Sequence, residues 1–502
     1  MAKKPFFTLE DAKASFSLFC CIYGVGTLGM PGNFARAGPT IAVVAMAFAN
    51  VYSSVAMSKV LLLAPKSVKT FSDLGEWCMG KWGRWLCMLS QMGSSLLIPC
   101  VYLVLGGTLL DDLFPNAFSQ ITWSILMVLT VLPVCLVPTL KEGAGVAFAG
   151  CLGTVLADII GVALVLYGMR GHPSVPFPEL KFSHVAGLFG NLAFAYGAGI
   201  VIPDVQRQHS DPTRMPRVVG VTVAFISCLF LVLASSTNSA VGCQVTGNLL
   251  YTIYPDSKTG LTTLGFAPNW GAVVLTYLLM QLHITVAFAV ILNPAFYVAE
   301  RLALGMHKTK QLDLENPVSY IEAATPDVTQ GRNSKLTYVS VAGADHKEDV
   351  DEEMAEYRGG VNTIKYIVLR VVMIVILEVL AIVFRDHFSD FVDFIGASCM
   401  TLNCIVLPIV FYLSKAWDRV PMYEKIPAII VSIVCTLLRA WLLRDVHHRK
   451  ESVCAHGQRR RIPILLGREQ KHRVLQLHCR ARVVENLPSV CTTSSSCSVR
   501  NL

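Results

Sequence analysis

The sequence predicts an all-α integral membrane protein of about eleven transmembrane helices. We expect a five-plus-five inverted repeat in which helices 1 and 6 are discontinuous. Three observations predict this fold class: a mean hydropathy of +0.54, long apolar runs, and clusters of glycine and proline inside two of these runs. Soluble domains carry about 25% charged residues. This chain carries 15%, with 53% hydrophobic residues, so we exclude a soluble globular protein.

The apolar runs have the length of membrane-spanning helices. Most reach the roughly 20 residues that cross a bilayer core, whereas the strands of a membrane barrel are shorter and alternate in polarity. We therefore expect about eleven crossings. The runs lie near residues 12–36, 39–63, 86–110, 121–138, 146–169, 185–205, 218–241, 270–297, 364–384, 390–413 and 426–443.

The distribution of basic residues orients the chain. With the N-terminus inside, the short cytoplasmic loops hold 14 lysine and arginine residues, and the opposite loops hold 5. Because positive residues favour the cytoplasmic side, residues 1–11 are predicted to form a cytoplasmic N-terminus. The first apolar run has no small-residue cleavage site after a short core, so we interpret it as a retained helix.

Polar segments divide the rest of the chain. Residues 12–300 hold the first eight transmembrane helices, and residues 364–443 hold the last three. Between them, the charged segment 301–363 is predicted to be a mostly disordered cytoplasmic loop, since it lacks the apolar content that offsets ordering entropy. Residues 444–502 form a basic tail without a spanning segment.

The basic tail does not fit the predicted topology, because a crossing eleventh helix would place it outside, against the positive-inside trend. Either the last helix does not cross, or the sequence beyond about Leu438 comes from a faulty gene model, which we favour. The tail holds 12 basic and 4 acidic residues, so it carries the whole net charge of +8. That charge is therefore no sign of a nucleic-acid partner.

Two apolar runs contain residues that interrupt helices. The stretch "CIYGVGTLGMPGNF", residues 21–34, holds four glycines and a proline, and "NLAFAYGAGIVIPDVQ", residues 191–206, holds two glycines and a proline. In a helix interior, glycine costs about 1 kcal/mol and proline about 3 kcal/mol relative to alanine. The interruptions fall in the first and sixth runs. This spacing is typical of inverted repeats whose discontinuous helices meet at the membrane midplane.

An unwound segment at this depth needs partners for its backbone groups. Since bare backbone cannot face lipid, the breaks must line a cavity or bind a ligand. The N-terminus of a half-helix presents N–H groups to a carboxylate, and the residues before a break present carbonyls to an ammonium group. An α-amino acid carries both charges on one carbon. The alternative is packing glycines and proline kinks between close helices.

Four stretches of the chain resemble the amino acid/auxin permease family, part of the amino acid-polyamine-organocation superfamily of secondary transporters. The resemblance covers roughly residues 8–300 and 362–435. It implies the fold of the bacterial leucine transporter, and symport of amino acids with protons or, in some branches, with sodium. The four stretches are "GVGTLGMPGNFARAG" at 24–38, "FAYGAGIVIPDVQ" at 194–206, "LNPAFYVAER" at 292–301 and "FVDFIGASCMTLNCIVLP" at 391–408.

The resemblance also implies a substrate site at the two breaks. The substrate carboxylate is expected at N–H groups after the first break, and the ammonium group at carbonyls just before each break. Phe194 and Tyr196 are expected to shape the side-chain pocket, where Gly197 and Ala198 leave room. The N–H groups belong to Thr27, Leu28 and Gly29, the carbonyls belong to Tyr23, Gly24 and Phe194, and Gly26 completes the predicted set.

The chain departs from the family in two further places. The insertion 301–363 is larger than the family leads us to expect. The external loop 170–183 has no cysteine to pair with Cys243, so a disulfide between those two loops is not available.

Ionisable residues deep in a span are candidates for ion coupling because they are costly to bury. Asp158, His283 and Glu378 lie near the centres of their runs. Helices 5 and 8 flank helix 1 in the inferred fold, so we expect Asp158 and His283 to face each other beside the break and to share a proton. The alternatives are a histidine bonded to a backbone carbonyl, a protonated structural Asp158, and a peripheral role for Glu378.

Sodium is the alternative coupling ion. Thr285, with the carbonyls of Tyr23 and Gly26, offers oxygen ligands of the kind that hard cations prefer. Because helix 8 lacks a clear run of serine and threonine ligands, we favour protons.

The sequence thus predicts a proton-coupled amino acid symporter in the plasma membrane or a vacuolar or lysosomal membrane. The alternatives are a sodium-coupled transporter and an amino acid-sensing receptor. We expect no enzyme, since the histidines are scattered along the chain, and no cofactor beyond the coupling ion. The sixteen cysteines show no metal-ligand spacing, so no metal site is predicted. Protein partners are not indicated.

Overall fold

The computed structural model describes residues 5–37, 41–65, 67–68, 70–136, 143–171, 186, 188–197, 199–245, 247–306, 357 and 360–457. Within these ranges the chain is helical, and its one β feature is an isolated bridge between Pro255 and Thr262. Most of the segment 301–363, and the tail beyond residue 457, lie outside the described residues.

The helices follow the order of the predicted apolar runs. The first span is formed by α1, a 3₁₀ turn and α2, and the sixth by α7 and α8. A π-helical end, Glu300–Leu304, extends α11, and two π-helical segments, Gly396–Met400 and Leu402–Val406, join α13 to α14. The bounds are α1 Leu9–Ile22, α2 Met30–Ala37, α3 Ile41–Leu63, α4 Phe71–Leu113, α5 Gln120–Leu136, α6 Gly143–Gly168, α7 Phe189–Ala195, α8 Ile202–Gln208, α9 Met215–Val241, α10 Leu249–Ile253, α11 Trp270–Ala299, α12 Gly360–Phe384, α13 Phe388–Ile395, α14 Leu407–Ala416 and α15 Met422–Gly457.

These helices account for the predicted membrane crossings. Eight spans in the described residues are long and apolar enough to cross a bilayer, and the bent pair formed by α1 and α2 makes nine. The apolar helix α5, of 17 residues, and the broken α7–α8 pair correspond to the remaining two runs. The prediction of an all-α, multi-span membrane protein is therefore confirmed.

One face of α12 is apolar and uncovered. Because burying such a face in lipid is favourable, this face marks the periphery of the bundle in the membrane. The exposed residues on α12 include Ile364, Val368, Val372, Val375, Val379 and Val383.

The first span is broken where the sequence predicts. α1 begins at Leu9 because Thr8 caps it: the Thr8 hydroxyl accepts the N–H of Asp11, and the Asp11 carboxylate accepts the N–H of Thr8. The helix ends at Ile22, since Gly24 adopts φ −158° and ψ −149°. The chain then forms a 3₁₀ turn, Val25–Gly29, before α2, and the two halves meet at an angle of 56°.

The sixth span is broken in the same way. α7 ends at Ala195, where Tyr196 leaves the helical region with φ −105° and ψ 57°. A short non-helical stretch follows, and α8 begins at Ile202 with Pro203 in its first turn, where a missing N–H costs nothing. The prediction of discontinuous first and sixth helices is confirmed.

Long helices surround the two breaks. α6 packs along α11 and touches the 3₁₀ turn of the first span, and α9 packs against α1, α2 and α3. On the other side, α7 lies against the first π-helical segment between α13 and α14. The breaks therefore lie inside the bundle.

Two helices extend beyond the predicted runs. α4 begins at Phe71 because Thr70 forms a capping box with Asp73, and it bends at Gly80, whose φ of +69° an L-residue rarely adopts. The first turns of α4 are therefore a separate arm before the span. The last helix, predicted to end near residue 443, continues to Gly457.

Candidate functional site at the two helix breaks

The two breaks touch each other. A Cβ atom at Gly26 would lie 2.7 Å from Cα of Ala195, so the backbones of the first and sixth spans meet at this point. One turn further along, the Asn191 side chain lies against Gly29 and accepts a hydrogen bond from Nδ2 of Asn33 at 3.2 Å. The glycines predicted from the sequence therefore allow a close approach of the two broken spans.

The free backbone groups of the first break differ from those predicted. The N–H of Thr27 donates to the Gly24 carbonyl at 2.9 Å, and the 3₁₀ pattern that starts there uses the N–H groups of Leu28 and Gly29 as well. The expectation that these three N–H groups are free for a carboxylate is wrong, because the chain re-enters a helical turn immediately after Gly24. The first N–H groups of that turn belong to Val25 and Gly26.

The carbonyls before the breaks fit the prediction better. In the described residues, no backbone N–H outside the helices donates to the carbonyl of Tyr23 or Phe194. Helix ends leave their last four carbonyls without an intrahelical donor. These two oxygens are therefore placed to accept a hydrogen bond from a cation, while the Gly24 carbonyl already accepts one.

Aromatic side chains connect the two breaks. The Tyr196 hydroxyl donates to Ser227 at 3.0 Å, and its ring packs edge-on against Phe230, with centroids 5.1 Å apart. Tyr23, before the other break, also lies against Phe230, at 5.7 Å. Sequence reasoning missed Phe230 because it is one apolar residue among many in α9. Phe194 is buried.

Small residues leave backbone accessible at the second break. Gly197 is half-buried, and the Met400 methyl group would lie 3.0 Å from a Cβ at this position. Ala198 lies outside the described residues.

Asp158 spans the first break. Its carboxylate accepts the Tyr23 hydroxyl at 2.9 Å with one oxygen and the Thr27 hydroxyl at 3.1 Å with the other. Tyr23 precedes the unwound residue Gly24, and Thr27 follows it. One buried carboxylate therefore holds both sides of the break together.

His283 lies beside the same break on another side. A Cβ at Gly24 would lie 2.8 Å from Nε2 of His283, and Nδ1 lies 3.2 Å from the Gly150 carbonyl. Because a carbonyl only accepts, Nδ1 carries the proton and Nε2 presents a lone pair towards the break. Nε2 has no hydrogen-bond partner in the described part of the chain.

The expectation that Asp158 and His283 face each other is wrong. His283 bonds at the level of Gly150, eight residues before Asp158 on α6, which is about 12 Å along a helix axis. The histidine has the backbone-carbonyl partner that was the alternative. Each residue contacts the break separately.

Thr285 and Glu378 do not contact the breaks through hydrogen bonds that the described residues show. The Thr285 hydroxyl donates to the Gln281 carbonyl of its own helix at 2.9 Å. Glu378 is buried at the periphery, where it accepts the Ser124 hydroxyl at 3.0 Å. Of the predicted coupling residues, Asp158 and His283 are therefore the two that the fold brings to the first break.

A buried ion pair, which the sequence did not point to, lies at the first turn of α1. Asp11 on α1 is fully buried and accepts Nη2 of Arg214 at 2.5 Å and Nε at 3.0 Å. Nε2 of His209 lies 3.2 Å from the same carboxylate, and the Ser210 N–H donates to Glu10 at 2.7 Å. We call Asp11, His209 and Arg214 the α1 latch, since they fasten α1 to the segment between α8 and α9.

Within the described ranges, no group of three or more histidine, cysteine, aspartate or glutamate side chains is arranged to hold a metal ion. The ionisable side chains of this region include Asp158 and His283 at the first break and the three residues of the latch.

A known protein family matches the whole membrane region of the chain. The family described as "Transmembrane amino acid transporter protein" matches residues 11–443. The match begins in α1 and ends in α15, so it includes both breaks and all eleven predicted crossings.

Curated relatives share part of this region. "Amino acid transporter AVT1D" of Arabidopsis thaliana is 26% identical over 280 residues, which are 52% of this chain and 50% of the relative. "Vacuolar amino acid transporter 4" of Saccharomyces cerevisiae is 23% identical over 252 residues, 47% of this chain and 35% of the relative. The chain spans about half or less of the length of these two relatives, and both are transporters rather than enzymes.

Two solved structures show a partial likeness to the chain. The crystal structure of MhsT in complex with L-phenylalanine has a TM-score of 0.48 and 13% identity, covering 86% of this chain and 98% of that one. A manganese transporter from Eremococcus coleocola has a TM-score of 0.49 and 12% identity, covering 95% and 92%.

Proposed function

Because the chain belongs to the transmembrane amino acid transporter family, we propose that it is a secondary active transporter that moves amino acids by alternating access. The observation that carries the proposal is the direct contact of two unwound spans, where Gly26 meets Ala195. Backbone groups exposed at this depth need a ligand of matching charge. A small zwitterion matches the N–H groups on one side and the carbonyls on the other.

The substrate lies between the two breaks in this proposal. Its ammonium group contacts the carbonyls of Tyr23 and Phe194, which accept no backbone bond outside the helices in the described ranges. Its carboxylate contacts the first N–H groups of the 3₁₀ turn, those of Val25 and Gly26, which precede the three residues predicted from the sequence. The partial positive charge of the turn and α2 favours the carboxylate there.

The substrate's side chain points towards the second break. Phe194 and Tyr196 are buried and supply aromatic walls, and the bare backbone of Gly197 leaves room beside them. Ala198 stays a predicted member of the pocket from the sequence. A pocket of this kind accommodates neutral side chains.

Protons drive transport through Asp158 in this proposal. An ionised carboxylate accepts two hydroxyl bonds, one from each side of the break. A protonated carboxyl group is itself a donor at one oxygen, so it cannot hold both hydroxyls in the same way. Protonation therefore loosens α1 relative to the 3₁₀ turn, which links proton binding to movement of the first span.

His283 is the second proton-accepting group. Its Nε2 lone pair faces the backbone at Gly24, close to the proposed ammonium position, where it accepts a proton or a hydrogen bond. We place sodium second, because α11 carries no clear run of serine and threonine ligands.

The protein functions in the plasma membrane or in a vacuolar or lysosomal membrane, with its N-terminus in the cytoplasm. The yeast relative is named a vacuolar transporter, which supports an acidic compartment. Proton coupling suits such a membrane, since the gradient is available there.

Proteoliposomes test the proposal. We expect labelled amino acid uptake to rise when an inward proton gradient is imposed, and to be insensitive to a sodium gradient. Asp158→Asn keeps the side-chain shape but cannot release a proton, so gradient-driven uptake is expected to fall at least tenfold while exchange of internal for external substrate remains. Glu378→Gln is the matched control, because it neutralises a buried carboxyl group away from the breaks.

Three outcomes contradict parts of this proposal. Equal loss of uptake and exchange in a correctly inserted Asp158→Asn protein removes the coupling role of Asp158. Stimulation by sodium without a pH effect favours the sodium-coupled alternative. Specific amino acid binding without any exchange favours a receptor.

A further inference from the structure

Asn403 is a buried amide without partners. Its side chain is fully buried, and neither Oδ1 nor Nδ2 has a hydrogen-bond partner in the described part of the chain. Leaving one buried polar atom unsatisfied typically costs about 1–3 kcal/mol, and most buried polar groups in proteins are paired. A carboxamide with two orphan atoms is therefore expected to meet a partner that is absent from the protein itself.

The position of Asn403 is next to the second break. A Cβ at Gly199 would lie 2.3 Å from the Asn403 carbonyl oxygen and 2.8 Å from Cα of Cys404. Met400 lies against Gly197. Residues 400, 403 and 404 therefore all lie against the second break, so Asn403 belongs to the part of this tenth span that packs on the break.

The tenth span is held in this position along its length. Gly396 and Gly190 pack backbone to backbone, so closely that a Cβ at Gly396 would overlap the Gly190 carbonyl. Beyond the end of α7, Gly197 and Gly199 also lie against the tenth span. The wall behind the second break is therefore formed by this span.

The helix carrying Asn403 is irregular at this point. Two π-helical segments follow one another, Gly396–Met400 and Leu402–Val406, and the Thr401 hydroxyl between them donates to the Gly396 carbonyl at 2.8 Å. Isolated π-turns in helices occur frequently at functional sites because they re-aim side chains. The π-helical segment and the unpartnered Asn403 amide therefore occur at the same place, and each is observed independently of the other.

We propose that the Asn403 carboxamide binds the side chain of the transported amino acid and selects neutral side chains that both donate and accept hydrogen bonds. This inference rests on the proposed transport function. The orphan Nδ2 requires an acceptor and the orphan Oδ1 requires a donor. A substrate carboxamide supplies both in one planar group, whereas a metal ion satisfies only the oxygen.

The glycines of the second break permit the contact. Gly197 and Gly199 have no side chains to shield the tenth span from a ligand placed between the breaks. The Met400 side chain covers Gly197. Because methionine is unbranched and changes rotamer readily, the Met400 side chain moves aside when a substrate binds.

A selectivity measurement tests this inference. Uptake by exchange is measured in proteoliposomes with labelled glutamine and leucine, which are similar in size and differ in the amide. Asn403→Leu removes both hydrogen-bonding atoms, so we expect the glutamine-to-leucine ratio to fall about tenfold or more, as the loss of one or two hydrogen bonds predicts. Asn50→Leu is the matched control, since the buried Asn50 amide already donates to the Met46 carbonyl of its own helix.

A second variant covers the case in which Asn403→Leu does not fold. Asn403→Asp keeps the shape and exchanges the donor for an acceptor, so we expect uptake of lysine to rise relative to glutamine. An unchanged order of substrates in Asn403→Asp, or an unchanged ratio in a folded Asn403→Leu, overturns the inference and indicates a bridging water only. If the wild-type protein exchanges no amino acid at all, the proposed function fails instead.

Discussion

Replacing Gly26 by alanine tests the contact between the two breaks. The new Cβ would lie 2.7 Å from Cα and 2.8 Å from Cβ of Ala195, whereas ordinary contact begins at 3.4 Å. The two backbones must therefore separate by about 0.7 Å, and since the obstacle is main chain, no side chain can move aside. Overpacking of this kind costs about 1–3 kcal/mol.

That cost applies only to the conformation in which the breaks touch. A change of about 1–3 kcal/mol in one state shifts a conformational equilibrium by about 5–150-fold. We therefore expect Gly26→Ala to lower the exchange rate by about 5–150-fold relative to the wild-type protein. The variant should still insert normally into the membrane. The assay is exchange of labelled substrate in proteoliposomes at equal protein density, with the melting temperature in detergent as a check on folding.

Gly220→Ala is the control. Gly220 lies in α9 beside one methyl group of Val55, at 3.0 Å from its Cβ position, and a side chain tip can give way. Alanine is also the better helix former, so little or no loss of exchange is expected. Exchange by Gly26→Ala that equals exchange by Gly220→Ala refutes the close contact of the two breaks.

Three other predictions concern polar contacts away from the breaks. Buried Glu300 accepts a hydrogen bond from Nε of Arg370 at 2.7 Å, and Arg370→Met removes that donor. We therefore expect the free energy of unfolding to fall by about 3–5 kcal/mol, seen as a lower melting temperature. The double variant Arg370→Met with Glu300→Gln should recover most of this loss. Asp11→Asn opens the α1 latch, so Cys20 in a single-cysteine background should react faster with a maleimide added from the side of the membrane where the N-terminus lies; an unchanged rate excludes a gating role. In the loop before α11, backbone N–H groups two and three residues on hold the pKa of Asp256 below its usual 3.8. The ionised Asp256 carboxylate therefore stabilises this turn at neutral pH, and that stabilisation is lost as the pH falls through the lowered pKa. Hydrogen exchange of the Lys258 and Thr259 amides measures the loss.

The two interruptions were predictable from the sequence because glycine and proline act locally. Clusters of glycine with a proline disfavour a continuous helix, and the clusters around Gly24 and Gly197 lie in the first and sixth runs, which identified the pairing of the spans. The apolar runs likewise located the helices, and in the described residues nine of the predicted spans, with the bent first pair counted as one, are long and apolar enough to cross a bilayer. These features depend on composition and spacing alone.

The details of the site depend on packing, which the sequence does not reveal. The N–H of Thr27 looked free because a break was assumed to unwind fully, but the chain forms a 3₁₀ turn at once. Asp158 and His283 were placed together by depth in the membrane, yet depth does not fix the rotation of α6 against α11. Asp158 instead contacts hydroxyls of the first span.

Other residues gave no signal before the fold was known. Phe230 is an ordinary apolar residue until it lies between Tyr23 and Tyr196. Asp11 looked like a charge at the edge of a span, and its burial depends on Arg214, about two hundred positions away. Such pairs require the three-dimensional structure.

Competition by charge-blocked analogues tests the central claim most directly. If the two breaks bind both charges of one α-amino acid, a transported amino acid should inhibit uptake of its labelled form, while the same molecule with an amidated carboxylate or an acetylated amine should not. Equal inhibition by either blocked analogue would contradict a site in which backbone N–H groups bind the carboxylate and backbone carbonyls bind the ammonium group.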